Sequence, residues 1–383
     1  MDIIKFLYKG HIEWDPVSDE QPDDFNFQPH QLLEHFDQNP NSIPDDKFLY
    51  FECCDDMESA EEMLKDIKKI HDKYNIDYNK MIFVTSYHIL DWDNRPSLID
   101  KINYYELECL LTYCGLLEED GYSSASGMFD NQKVISDNTK LCIKTMFKNS
   151  KPFVRQKHYL TYNGYMKSHR VELLGFLVEK DLLDKGLSSF FYYVENQLPR
   201  EYIDGYLYNE IEDKTVISKI RKLVPYSFDN YRHGVEENES VAGFNIIAQF
   251  STYFNIVTET RNGIQSHNHH EVFLSDKICK PLFSFQPFIV IGQWGSLEQL
   301  KRMGFKTFSP WINEEYDLLM DESDRMTAVL KEVENLCRLD IKDLHKWYWE
   351  MEDILVHNFN NFIKIQEQGP KKFIDFMENV IRT

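Results

Sequence analysis

The stretch VFLSDKICKPLFSFQPFIVIG, residues 272–292, sets Ser275, Asp276 and Lys277 between two apolar runs. A serine at a helix start accepts from the backbone N–H groups of the first turn, where the positive end of the helix dipole also lies. A helix capped by Ser275 and running through Lys277 to Phe285 would leave the N–H groups of residues 276–278 pointing outward beside an ammonium group, which is an anion site. Glu259 closes the apolar run YFNIVTE (253–259), so its carboxylate is placed to share a crevice with Lys277. A carboxylate that accepts from ribose hydroxyls and a lysine that neutralises a diphosphate together hold a nucleoside diphosphate. The same triplet also makes an ordinary capped helix start, and spacing alone does not separate the two readings.

Such a site needs strands that end, and helices that begin, along one edge of a sheet, where open α/β folds collect their ligands. KFLYFECCDD (47–56), ESAEEMLKDIKKIHDKYN (58–75) and KMIFVTSY (80–87) read as strand, helix and strand, the parallel crossover unit of an α/β protein. Farther on, Tyr159–Tyr162 ends another strand, and Ser168 is the predicted N-cap of the helix HRVELLGFLVEKDLL, closed by Lys185 and Gly186. YFNIVTE and PFIVIG (287–292) are further strands, and from Asp321 onward apolar positions recur at helical spacing, which predicts a helical tail. Residues 16–46, rich in Pro, Asp, Asn and Gln, and residues 118–138 read as loops. The basic segment KTMFKNSKPFVRQK, before the second series of alternating elements, marks a boundary, giving domains over 1–150 and 151–335 with a tail over 336–383.

Composition agrees with two domains, since 383 residues with 42% hydrophobic and 14% aromatic content exceed what one ordinary core needs. The chain carries 42 Lys+Arg against 64 Asp+Glu, a net charge of -22, which disfavours nucleic acid as a partner unless a local basic groove overrides the field. No run approaches the roughly 18 apolar residues of a membrane span. The start, MDIIKFLYKGHIEWD, lacks the pattern of a signal peptide, so the chain reads as soluble and cytoplasmic. Seven cysteines without framework spacing, with Cys53 and Cys54 adjacent, read as reduced thiols.

The order of motifs from Tyr253 to Gly292, a strand ending in IVTET, then FLSDKICKPL, then PFIVIG, resembles the C-terminal motif of the α-1,3-fucosyltransferases. In that family a strand ends in phenylalanine-glutamate-asparagine, a threonine-glutamate-lysine helix start follows, and a strand with a glycine end comes next. Upstream, LTYNGYMKSHRVELLGFLVEKDLLDKG is similar to the family's segment in which an asparagine follows a strand and an arginine stands at a helix start, here Asn163 and Arg170. The chain also resembles a group of phage and giant-virus glycosyltransferases, whose closing box is matched by GSLEQLKRMGFKTFSPWINEEYD. The likeness covers about residues 153–360, and its specificity lies in the order of the motifs. Ser275 and Asp276 replace threonine and glutamate, and Thr260 replaces asparagine, leaving the charge nearly intact.

The resemblance implies a GT-B arrangement, two Rossmann-like domains facing across a cleft, with the N-terminal domain on the acceptor side and the tail packing back on the body. The donor, a GDP-sugar such as GDP-fucose, would lie against Asn163, Arg170, Glu259, Thr260, Ser275, Asp276 and Lys277. Arg170 and Lys277 would neutralise the diphosphate and Glu259 would take the ribose. Glycosyl transfer builds positive charge at the anomeric carbon and negative charge on the departing phosphate, so two basic side chains serve without metal or cofactor. An inverting transfer also needs a general base across the cleft, for which Glu13 and Asp15 in GHIEWD are the candidates, a solvated loop being their other reading. The acceptor implied is a glycan hydroxyl, in the host cytoplasm if the chain is viral. A modified base in viral DNA is the alternative, with Lys144, Lys148, Lys151, Arg155 and Lys157 as the basic stripe that would mark it. A third class, a non-catalytic nucleotide-sugar or glycan-binding protein, would keep Glu259 and Lys277 but lack the base.

Other polar clusters have plainer readings beside the chemical ones. His267, His269 and His270 in SHNHHE read as a loop over the donor site rather than a zinc site, because no cysteine or spaced carboxylate completes a ligand set. Asp91-Trp92-Asp93 matches the acid pair with which the GT-A fold holds a metal, a triplet that is frequent in a chain this acidic. In the box Asn313-Glu314-Glu315-Tyr316-Asp317, Glu315, Tyr316 and Asp317 either line the nucleotide pocket or cap the next helix. Trp347, Tyr348 and Trp349 on the tail are expected to be buried against the domains.

Overall fold

A computed structural model describes residues 29–40, 47–53, 60–85, 87–89, 95–106, 135, 137–190, 200–224, 226–228, 245–263 and 271–382. The first part comprises α1 (Pro29–Gln38), β1 (Leu49–Cys53), α2 (Ala60–Tyr74), β2 (Met81–Thr85), β3 (Tyr87–Ile89) and β4 (Asn103–Glu106). Strands β1, β2 and β4 form a parallel sheet in that order. Their side chains alternate between two cores, as a period of two requires. Leu49, Phe51, Met81 and Phe83 face Leu32 and Phe36 of α1 and Met63, Leu64, Ile67 and Ile70 of α2. Tyr50, Ile82 and Val84 turn the other way, into the large core of the rest of the chain. A strand covered on both faces reads as a continuous apolar run, which is why MIFV carries no polar alternation.

The second part comprises α3 (Asp137–Ser150), β5 (Lys157–Asn163), α4 (Ser168–Glu179), β6 (Leu187–Phe190), α5 (Arg200–Glu210), α6 (Lys214–Leu223), β7 (Tyr226–Ser227), α7 (Ile246–Ser251), β8 (Thr252–Thr258), β9 (Glu271–Phe273), α8 (Cys279–Phe283), β10 (Phe288–Ile291) and α9 (Ser296–Arg302). Its five-stranded sheet has the order β10-β8-β5-β6-β7, parallel except for β7. Strand β9 pairs instead with β3, antiparallel, and Phe273 lies in the smaller core. Residues 271–273 therefore tie the segment before Ser275 to the first part of the molecule.

Helix α4 departs from its predicted limits at both ends. Lys167, not Ser168, is the N-cap, and no side chain caps that end. The helix stops at Glu179 because Asp181 turns left-handed (φ 54°), and the Leu182 N–H closes back on the Leu177 carbonyl at 2.8 Å. Gly186 then passes the Tyr159 ring so closely that a Cβ would lie 2.2 Å from it.

The tail is helical: α10 (Glu322–Arg338), α11 (Ile341–Glu350) and α12 (Glu352–Arg382). At 31 residues α12 is ~46 Å long. Phe359 stacks on Phe285 at 4.4 Å near its start, and Phe373 and Phe376 meet Tyr105 of β4 at 5.3 and 4.8 Å near its end. One helix thus packs against both parts of a mixed α/β protein with parallel sheets. Cys142 is an exposed cysteine, and Cys279 and Cys337 are buried ones. No helix among the described residues is long and apolar enough to cross a membrane.

Candidate functional site

Because β5, β8 and β10 are parallel, their carboxyl ends reach one edge, and the predicted donor-site residues collect there. Asn163, the last residue of β5, is fully buried. The Thr258 hydroxyl donates to Asn163 Oδ1 at 2.7 Å, and Asn163 Nδ2 donates to Thr161 Oγ1 at 3.1 Å, so this side chain fastens the ends of β5 and β8 together. Glu259 follows β8 and is fully buried too. Its N–H donates to the Ile291 carbonyl at 2.9 Å, and its Oε2 accepts from the Ser275 N–H at 3.0 Å and from the Ser275 hydroxyl. Gly292 leaves the room for this, since a Cβ there would lie 3.3 Å from the Glu259 Cβ and 3.1 Å from Val290 Cγ1.

The Ser275 hydroxyl donates its proton to that carboxylate, and its oxygen still accepts from the Lys277 N–H at 3.4 Å, as a cap would. The chain makes a 3-10 turn over Asp276–Ile278 that runs directly into α8, so the helix expected from Ser275 to Phe285 begins as a 3-10 turn and stops at Phe283, and the N–H groups of Lys277 and Ile278 turn back on Ser275 rather than outward. What marks the edge is side-chain charge. Lys277 Nζ donates to Thr260 Oγ1 at 3.2 Å and to Ser275 Oγ at 3.1 Å. Lys167 Nζ donates to the Thr260 carbonyl at 2.9 Å. Arg170 is buried and donates from Nη1 to the Tyr165 carbonyl at 3.0 Å, with Nη2 3.5 Å from the Thr258 and Glu259 carbonyls.

Beneath them His169 Nε2 meets the Glu259 carbonyl at 3.0 Å. Burial first, and then the positive charges of Arg170, Lys167 and Lys277, hold its pKa down at about 3, so the ring is neutral. The loops after β8 and β10 are clamped from α10 by buried Arg325, which donates to the carbonyls of Gly292 (3.0 Å), Asn262 (2.5 Å) and Leu319 (2.9 Å). Lys167, His169 and Arg325 escape a reading by motif. The one available signal was Lys167 itself, a cation at the positive end of a helix, where the dipole disfavours it.

The acidic box lies behind β10. Tyr316 is buried and its hydroxyl accepts from the Val290 N–H at 3.3 Å. Asp317 accepts from the N–H groups of Leu297 (3.1 Å) and Glu298 (3.2 Å), capping α9, the helix before the box rather than the one after it. Burial pushes its pKa up to about 6 in spite of those bonds. The Glu315 N–H donates to Asn313 Oδ1 at 3.1 Å. Glu13, Asp15, Asp91-Trp92-Asp93 and the trio His267, His269 and His270 lie outside the described residues. Among the described residues, no three His, Cys, Asp or Glu side chains are grouped to hold a metal ion.

Four of the five residues of the basic stripe make contacts within the molecule, and Lys148 is exposed. Arg155 is buried and donates to the Thr252 carbonyl and the Tyr348 hydroxyl. Lys144 lies 5.1 Å from the Phe359 ring, Lys151 pairs with Glu352, and Lys157 Nζ reaches the Asp184 carbonyl at 2.5 Å.

No family model matches the sequence, and no curated protein matches it. Among solved structures the chain is similar to the N-terminal domain of trehalose-6-phosphate phosphatase from Candida albicans, with 9% identity and a TM-score of 0.38 over 92% of this chain and 75% of that one. A likeness at that level defines neither a shared fold nor an activity. The site itself brings Lys167 and Lys277 to Thr260, Arg170 to the neighbouring Thr258 and Glu259 carbonyls, and the buried Glu259 carboxylate to Ser275.

Proposed function

We propose that the chain is a glycosyltransferase that moves a sugar from a nucleotide-sugar donor to a glycan hydroxyl, with the diphosphate held at the carboxyl edge of the five-stranded sheet. The observation that carries the reading is the convergence of Arg170, Glu259, Thr260, Ser275 and Lys277, residues spread over more than a hundred positions, within hydrogen-bonding reach of one another. In this reading the arrangement is of the GT-B kind, and the first sheet with its neighbouring loops holds the acceptor. Cationic side chains stabilise the charge that grows on the departing diphosphate, which serves an inverting, metal-independent transfer. Ribose hydroxyls replace Ser275 as donors to Glu259, whose carboxylate is already desolvated and fixed in place. GDP is favoured by the likeness to the fucosyltransferases alone, and the general base belongs to the N-terminal part. The engagement of the basic stripe in internal contacts supports a glycan over DNA as acceptor.

A thermal-shift panel of GDP-, UDP-, ADP- and CMP-sugars tests this. A donor at a hundred times its dissociation constant stabilises the fold by roughly 2.7 kcal/mol, so one nucleotide should stand out. Sugar transfer to a glycan panel then separates an enzyme from a binding protein. A flat response to every nucleotide sugar and every nucleoside diphosphate would remove the proposal.

A further inference from the structure

The chain leaves β5 for β6 on one side and returns through β8 on the other, so the strand order reverses between β5 and β8. Open α/β sheets hold their ligands outside the carboxyl ends of the strands at such a point, in the crevice between the two loops that diverge there. We infer that Tyr165, in the loop from β5 to α4, is the face on which the nucleobase of the donor stacks. The inference rests on the proposed reading of this edge as a nucleotide-sugar site and adds which side chain meets the base.

Tyr165 is 60% exposed, yet its backbone is fixed on both sides. Asn163, two positions earlier, is fully buried and accepts from the Thr258 hydroxyl at 2.7 Å. Met166, the next residue, packs in the main core, and the Tyr165 carbonyl accepts from Arg170 Nη1 at 3.0 Å. An aromatic ring carried on a fixed backbone offers a large apolar face and has few torsions left to lose when a ligand covers it.

The Arg170 guanidinium also sets how far that ring stands from the ribose. Its Nη2 lies 3.5 Å from the Thr258 and Glu259 carbonyls, so one planar group spans from Tyr165 to the residue whose carboxylate takes the ribose in the proposed reading. Glu259 is fully buried and Tyr165 is exposed, which orders the crevice from floor to lip. A base is joined directly to its ribose and therefore leads outward, to the depth at which the ring can meet it. Stacking needs only a π-face and is tolerant of which base supplies it. Tyr165 accordingly contributes affinity for a nucleotide and leaves the choice of base to other groups.

Calorimetry on the full chain with GDP, UDP, ADP and inorganic pyrophosphate tests this. Tyr165→Ala should weaken binding of the nucleoside diphosphates about tenfold or more, and should leave the affinity for pyrophosphate, which has no base, within about threefold of the wild type. Tyr165→Phe should keep the wild-type affinities. Tyr165→Trp should show a fluorescence quench on addition of a nucleoside diphosphate that pyrophosphate does not produce. Nucleoside diphosphate binding unchanged in Tyr165→Ala, or lost equally in Tyr165→Phe, overturns the stacking role while the nucleotide-sugar reading stands. An equal loss of pyrophosphate and nucleoside diphosphate in Tyr165→Ala overturns it too, since the effect would then run through the backbone that Arg170 holds. A wild-type chain that binds no nucleoside diphosphate removes the nucleotide-sugar reading and the stacking with it.

Discussion

The two ends of the five-stranded sheet each hold buried positive charge, and they treat it differently. At the amino ends of β5 and β8, Arg155 lies 4.1 Å from the Tyr348 ring and donates to the Thr252 carbonyl (2.5 Å) and the Tyr348 hydroxyl (2.8 Å). The Tyr348 hydroxyl donates to the Phe285 carbonyl at 2.6 Å, and the Tyr253 hydroxyl accepts from the Arg155 N–H at 2.8 Å while meeting His345 Nδ1 at 2.9 Å. One cation there is matched by aromatic faces and neutral acceptors, and α11 covers it. At the carboxyl ends, Lys167 and Lys277 meet at Thr260, Arg170 lies against the Thr258 and Glu259 carbonyls, and the buried Glu259 carboxylate and a neutral histidine complete the cluster. A single cation enclosed by acceptors is structure, whereas several cations beside one buried carboxylate form, in the proposed reading, the place where a ligand's charged groups are received.

The sharpest way to break the comparison is Arg155→Ala. It leaves the Thr252 carbonyl and the Tyr348 hydroxyl without their donor in a packed site, which should cost roughly 3 kcal/mol in urea unfolding. Ligand affinity of the folded protein should not change. A loss of pyrophosphate or nucleotide binding in this variant would mean that the two ends are not separate.

Next in size is His169→Gln, which keeps a donor toward the Glu259 carbonyl and removes the titration. The folded pKa of about 3 lies below the ordinary 6.5. The unfolded chain therefore binds the proton that the folded one refuses, and stability is lost as the pH falls from about 6.5 toward 3. At pH 5 the wild type should have lost about 2 kcal/mol relative to the glutamine variant, referred to their difference at pH 7.5. Asp317, with its pKa raised to about 6, works in the opposite sense, gaining stability on protonation, but it is common to both proteins and cancels in the comparison. Parallel pH profiles for the two would show that His169 is not held neutral in the folded protein.

How far the sequence discloses this arrangement depends on what each residue does. β8 and β10 are legible because every residue in them is buried, so the apolar runs YFNIVT and FIVI stand out. The end of α4 is not legible, because it is set by a left-handed aspartate rather than by the glycine that follows several residues later. Glu259 and Lys277 are placed together by the order of motifs, not by spacing. Ser275 accepts from the Lys277 N–H at 3.4 Å, as its place before the turn predicts, but spacing does not disclose that the same hydroxyl donates to the buried Glu259 carboxylate. Asp317 misleads in the other direction: an acid in an acidic box looks like a pocket wall, yet its partners are two N–H groups some twenty positions earlier. Lys167 stands out locally only as a cation at the positive end of a helix, and nothing in the sequence announces that the segment after β8 brings Thr260 to it.

The smallest expected effect bears on the outer surface near the closed end. Lys151 is exposed, pairs with Glu352 at the start of α12, and lies 5.0 Å from the Trp349 ring. An exposed pair of this kind contributes little, because water screens it and two long side chains must be held in one geometry. Lys151→Ala should therefore change stability by less than about 1 kcal/mol, and by less again in high salt. The informative measurement is retention of duplex DNA at low ionic strength. If the lysine serves only Glu352 and Trp349, its removal leaves the salt dependence of any duplex binding unchanged. If the slope against salt falls by about one unit, Lys151 was meeting a phosphate, and the amino end of the sheet would be a second anion-facing surface rather than the closed counterpart of the first.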